Sequence, residues 1–322
     1  MGVMRRTVMA GLALSLLAGA CSSDEPPAST GPTATSQIVA VPATSDLFAG
    51  DPQRVSFGLV RNDNKLISFG DAEVTFSFVG TAAEPTEPQP GPEATATFVP
   101  TYGTPDRNGG PAVTSPNEGR GVYQADDVTF DQPGFWTAEV TVVVQGMGTQ
   151  TAEATVPVLD APQIPAPGDR AKPTENLTLD SKGVPQGAID SRAATTGEIP
   201  DPELHEWTIA RAIAEGRPAL VLFATPVFCV SRFCGPVTDM VQELAARYGD
   251  RAVFIHVEIW KDYQEQVLNE AATEWLQTPS GDLTEPWLYL IGDDGVILDR
   301  WASMWSESDV EAALDELPRM TN

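Results

Sequence analysis

From about Gln37 to Asp160 apolar and polar residues alternate in short runs, broken by Gly, Pro, Asn and Asp. A period of two is how a half-buried strand reads. Val55, Phe57 and Leu59 share one face, as do Val74, Phe76 and Phe78; the longest run places Trp136, Ala138, Val140, Val142 and Val144 on one side. Each such strand has a face to bury, so two sheets should meet over a shared core. Turn residues at Asn62–Lys65 and Gln132–Gly134 separate the runs, and "EPTEPQPGPEAT" reads as a proline-rich loop between strands.

The count of seven or eight strands predicts an all-β, immunoglobulin-like sandwich over residues 37–160. The ending "GRGVYQADDVTFDQPGFWTAEVTV" resembles that of small bacterial envelope sandwich domains, some of which accompany copper proteins. No cluster of His, Cys or Met in this region could hold a metal.

Residues 161–200 are proline-rich and carry no sustained period, which predicts a connector. Leu177, Leu179, Val184 and Ile189 would let it dock in part on a neighbouring surface. Beyond it the pattern changes to helical periods alternating with continuously apolar runs, an α/β arrangement over 201–322. "DPELHEWTIARAIAEG" predicts a helix with Asp201 as N-cap, Pro202 at the first helical position and Gly216 as terminator. Ala219–Phe223 reads as a strand covered on both faces. A helix over 236–248, the strand "AVFIHVEI", a helix over 262–276 and a hairpin turning at Asp293–Gly295 follow. "SESDVEAALDEL" closes the chain, with Ser308 and Glu311 as a capping box.

Charge and the first residues bear on compartment. A formal net charge of −26 repels nucleic acid and anionic lipid alike. Arg5 and Arg6 precede an apolar run, Thr7 to Ala20, too short to span a bilayer. Residues 1–20 therefore read as a signal peptide. The ending "LLAGAC" resembles bacterial lipoproteins, which implies diacylation of Cys21 and an anchor on the extracytoplasmic face of the cell membrane. Residues 21–36, rich in Pro, Ser and Thr, predict a disordered tether. With Cys21 lipidated, Cys229 and Cys234 remain as a pair in a compartment where thiols oxidise.

The order helix, then β-α-β-α-β-β-α, with a cysteine pair just after the first strand, resembles the thioredoxin fold over 201–322. "LFATPVFCVSRFCGPVTDMVQELAARYGDR" runs in register with the strand and active-site helix of membrane-anchored extracytoplasmic thioredoxins, with CxxxxC in place of CxxC. A second register takes "CGPV" as the family's CGPC without its last cysteine. The resemblance implies thiol–disulfide exchange, with Cys229 as attacking thiol, Cys234 as resolving thiol and Pro286 as the family's cis-proline shaping the substrate groove. Cys229 would sit in the loop and Cys234 at the helix's first turn, where the dipole and Arg232 favour a thiolate. Leu222 holds the place of the family's buried acid, and Glu258, at a strand's carboxyl end, is the candidate substitute for proton relay. Glu285, beside Pro286, would raise the cysteine pKa.

Three readings of the pair stay open: a structural disulfide in a non-catalytic binding module, a working redox dithiol, and a copper site for oxidase assembly with Cys229, Cys234 and His256 as ligands. His256 sits in an apolar strand and reads first as a core histidine, and His205 as an exposed residue at a helix start. Trp207, Trp260, Trp275, Trp287, Trp301 and Trp305 read as core or rim packing. No cofactor is implied. The partners implied are exported thiol or disulfide proteins or a membrane electron donor, with the sandwich as spacer or docking module.

Overall fold

The computed structural model describes residues 36–320 apart from 106, 108 and 116–119. The signal peptide, Cys21 and the tether up to residue 35 lie outside the described residues. The alternating runs form nine strands: β1 (Ile38–Pro42), β2 (Gln53–Arg61), β3 (Leu66–Ser68), β4 (Asp71–Gly80), β5 (Pro85–Pro100), β6 (Val113–Ser115), β7 (Gly121–Val128), β8 (Gly134–Val144) and β9 (Gly148–Val158). They join in one antiparallel sheet, ordered β6-β3-β2-β7-β5-β4-β8-β9 with β1 on β2. Its inward faces share one core that includes Ile38, Phe57, Phe76, Trp136 and Val156. Such an architecture is consistent with a β-sandwich.

The expected proline-rich loop is instead the first half of β5, the longest strand. Residues 85–93 pair with β4 alone, and β7 joins β5 only from Ala96 onward. Prolines without an N–H are tolerated along such a half-unpaired, exposed stretch.

The connector is not loose. Ile164, Ala166, Ala171, Ala188 and Ile189 are buried, while Leu179 stays exposed, and α1 (Ala193–Thr196) ends the segment. Polar anchors do as much as the apolar ones: Thr174 Oγ1 accepts from Trp275 Nε1 at 2.9 Å, and Asn269 Nδ2 donates to the Ala188 carbonyl at 3.0 Å. Asn176 Oδ1 accepts from the Ile209 amide at 2.8 Å.

Beyond the connector a second sheet contains β10 (Ala219–Ala224), β11 (Val253–Glu258), β14 (Trp287–Ile291) and β15 (Ile297–Ala302), in the order β11-β10-β14-β15. β10 runs parallel to β11 and antiparallel to β14. All six residues of β10 are buried, because helices cover both faces. Leu220, Leu222 and Ala224 pack with α3 (Cys234–Tyr248) and α5 (Glu307–Asp315). Val221 and Phe223 pack with α2 (Ile209–Ala214) and α4 (Glu270–Leu276).

Three expected helices are corrected. The helix over 201–216 is a 3-10 turn, Pro202–His205, followed by α2, whose cap is Thr208: its Oγ1 accepts from the Arg211 amide. Asp201 caps nothing, because its carboxylate is buried against Arg192. Residues 262–276 open with a hairpin of β12 (Trp260–Asp262) and β13 (Val267–Leu268) before α4. Tyr263 and Val267 stay exposed there, so no buried stripe holds a longer helix. The cap of α5 is Ser306, which accepts from the Asp309 amide at 3.1 Å, and Ser308 lies inside the first turn.

The described residues, 36–320, belong to one compact unit. Arg300 and Asp46 form a nearly buried ion pair at 2.8 Å between the second sheet and the segment after β1. Val99 and Val122 of the large sheet join the core under α3 and α5. Among the described residues no helix is long and apolar enough to cross a membrane.

Candidate functional site

The chain turns out of β10 at Thr225 and reaches α3 through Pro226–Phe233. Cys229 and Cys234 are joined in a disulfide across this turn, with Cα atoms 5.9 Å apart. Cys229 is partly buried in the loop; Cys234, the first residue of α3, is fully buried. The Cys234 amide donates to Cys229 Sγ at 3.4 Å, so the helix N-terminus points its first N–H at the sulfur of the less buried cysteine. Ser231 Oγ lies 3.2 Å from the same sulfur. Arg232 is exposed and holds a left-handed backbone, φ 64°. Phe228 stacks on Tyr263, with centroids 4.0 Å apart, which ties the loop to the β12–β13 hairpin.

Glu285 is the acid at this pair. One of its carboxylate oxygens and both sulfurs all lie within 4.8 Å of one another. Burial raises its pKa, and the charge of Glu258 raises it further. The Glu285–Pro286 peptide is cis, and Pro286 is buried at the start of β14. Glu258 is buried at the end of β11, where its oxygens accept from the Ser191 amide at 2.8 Å and the Trp260 amide at 3.2 Å. Burial is the main cause of its raised pKa. It therefore links the connector to β11, with Glu285 within its electrostatic reach.

His205 is not exposed: it is fully buried, and its ring faces that of His256 with centroids 5.1 Å apart. The exposure expected of it fails because the predicted helix breaks after His205 and turns the residue inward. Asp190, from the connector, is the third member; its carboxylate and the two imidazoles form one buried group, and the cysteines and Glu285 form another. His256 thus stands with Asp190 and His205, apart from the cysteines. Burial pushes the Asp190 carboxyl up, but His205, His256 and Arg192 around it outweigh burial and hold it well below the usual range. For His205 burial alone would lower the pKa, and the facing Asp190 and Asp201 raise it instead.

Sequence reasoning missed Asp190, Arg192 and Asp201, which lie in an aperiodic connector and at a misread cap. A pair of acids beside the arginine, in "AIDSRAATTGEIPD", was the only local signal. The tryptophans behave as read: Trp275, Trp287, Trp301 and Trp305 are buried. Comparison with known protein families, curated proteins and solved structures finds no match.

Proposed function

We propose that this chain performs thiol–disulfide exchange on exported proteins through Cys229 and Cys234. In this reading residues 201–322 are a thioredoxin-like unit, the large sheet is an immunoglobulin-like spacer or docking module, and a lipid on Cys21 holds the protein at the outer face of the membrane. The observation that carries the reading is the asymmetry of the pair, a partly buried cysteine on a loop joined to a fully buried one at a helix start, with a carboxyl of raised pKa beside both.

A substrate thiolate attacks Cys229 Sγ, forming a mixed disulfide and releasing the Cys234 sulfur as a thiolate. The protonated form of Glu285 can give its proton to that thiolate and later receive the proton of the second substrate thiol. That second substrate sulfur attacks the mixed disulfide, leaving an oxidised substrate and Cys229 as a thiolate. The Cys234 amide stabilises this thiolate. The reverse sequence reduces a substrate disulfide. Glu285 lies beside the sulfurs and Pro286 follows it, which in this reading would shape the groove for an extended substrate, and Glu258 tunes Glu285 by its charge.

The test is the reduction potential of the pair, read by equilibrating the chain in graded thiol buffers and counting alkylated cysteines by mass. A two-electron transition well above about −300 mV is expected of an exchangeable pair, and Cys234→Ser should trap a mixed disulfide on Cys229. A pair that stays oxidised below that potential, with no trapped adduct, would make it a structural staple.

A further inference from the structure

The buried group of Asp190, His205 and His256 is independent of the cysteine site, and its polar atoms are poorly served by the protein. His205 Nδ1 and Nε2, His256 Nδ1 and Asp201 Oδ1 have no hydrogen-bond partner, although each of these residues is fully buried. Buried polar atoms left unpaired are costly, so four in one place call for an occupant.

The tautomer of His256 sharpens the point. Its Nε2 lies 3.1 Å from the Ala224 carbonyl oxygen, which can only accept. The proton of the neutral ring therefore sits on Nε2, and Nδ1 presents a lone pair. That lone pair faces Asp190 Oδ2 at 3.5 Å, and His205 Nε2 faces the same oxygen at 3.4 Å. Lone pairs aimed at one another need either a proton or a metal ion between them. A backbone carbonyl that fixes the far nitrogen is also the usual support of a metal-bound histidine.

We infer that Asp190, His205 and His256 bind a divalent transition-metal ion of the zinc class, with Asp201 beside His205 as an outer carboxylate. Two imidazoles and carboxylate oxygen suit such an ion. The donor separations of 3.4 and 3.5 Å are close to the edge of roughly 3.3 Å that 2.0–2.1 Å metal–ligand bonds produce in a tetrahedron. Asp201 Oδ1 lies 3.6 Å from His205 Nε2. Arg192 binds Asp190 and Asp201 and is itself partly exposed, so it holds the carboxylates from the surface side. With neutral imidazoles the two carboxylates outweigh that one guanidinium, and the site is net negative. All donors come from the protein and none is open to solvent, which makes the ion structural: it fastens the connector to the 3-10 turn and to β11.

The chain contains only two histidines, and both are in this site. The full chain, unfolded in denaturant and chelator with its disulfide intact, is refolded with Zn²⁺ or with Co²⁺ so that burial cannot block entry. One Zn²⁺ per chain should survive dialysis, Co²⁺ should give the visible bands of a tetrahedral site, and the nitrogen resonances of both histidine rings should shift. His256→Gln and His205→Gln should weaken retention about tenfold or more, while the double variant Cys229→Ser, Cys234→Ser keeps the ion. No retained ion, or a retained ion with both ring spectra unchanged, would overturn the site, and the ring spectra decide it even where a histidine variant does not fold. Unshifted rings that titrate with protons alone would identify the occupant as a proton instead.

Discussion

Arg54 of β2 holds Asp299 of β15 through both ends of its guanidinium, at 2.8 and 2.9 Å, while lying over the Trp301 ring. This fork joins the large sheet to the small one. Both side chains keep about a third or less of their exposure, so solvent screens the pair only in part. Arg54→Ala should cost about 1–2 kcal/mol, as expected for a hydrogen bond to a charged group. Urea denaturation checks it: the midpoint should fall with little change in slope, and an unchanged midpoint would show that the fork contributes nothing.

Asn176 should matter more than its place in a proline-rich connector suggests. It is 4% exposed, accepts from the Ile209 amide and donates to the Trp207 carbonyl at 3.2 Å. Asn176→Ala strands a buried N–H and a buried carbonyl together. A loss of about 2–3 kcal/mol is expected, read as a lower thermal midpoint, whereas the exposed Leu179→Ala should be near neutral.

Gly91 of β5 lies against the ring of Trp136, and a Cβ there would run into that ring and come 3.0 Å from the Phe76 carbonyl oxygen. Both neighbours belong to a packed core in which Trp136 is 1% exposed. Gly91→Ala should therefore destabilise by about 1–3 kcal/mol through overpacking. Tryptophan fluorescence during unfolding would register it, and a neutral result would mean that β5 can shift outward.

Glu285 gives the pH dependence its sign. Burial and the Glu258 charge raise its pKa, so the folded chain binds this proton more tightly than the unfolded chain does. Its contribution is complete below about pH 4.3, the unfolded value, and is lost as pH rises through the folded value. Glu285→Gln should flatten the stability profile in that window and leave the variant more stable than the parent near neutrality. Urea midpoints from acid to neutral pH, with the disulfide intact, measure it; a parent that gains stability across the window relative to the variant would reverse the assignment.

The strands of the large sheet were legible because period-two alternation reports burial directly: Val55, Phe57 and Leu59 are all buried. Helix boundaries near polar residues were not. Asp201 and Pro202 look like a cap and a first turn, but Asp201 bonds with Arg192, a partner no local pattern reveals. The prolines of β5 suggest a loop because a sequence does not state which strand edge is unpaired. The cysteine loop was placed by its register with the following helix. The Asp190, His205 and His256 group was invisible, since it is assembled from three segments whose only common property is their meeting point.

The docked connector also changes how the chain would bear load. Its forty residues are fastened to Val296, Glu274, Trp275, Ile209 and Glu258, on several different elements. Under tension it acts as a strap rather than a slack line: no contour length is released until these attachments shear. The force needed to part the two sheets is then set by these short hydrogen bonds, the Arg54–Asp299 and Arg300–Asp46 pairs and the core shared through Val99 and Val122, and not by the reach of a proline-rich coil.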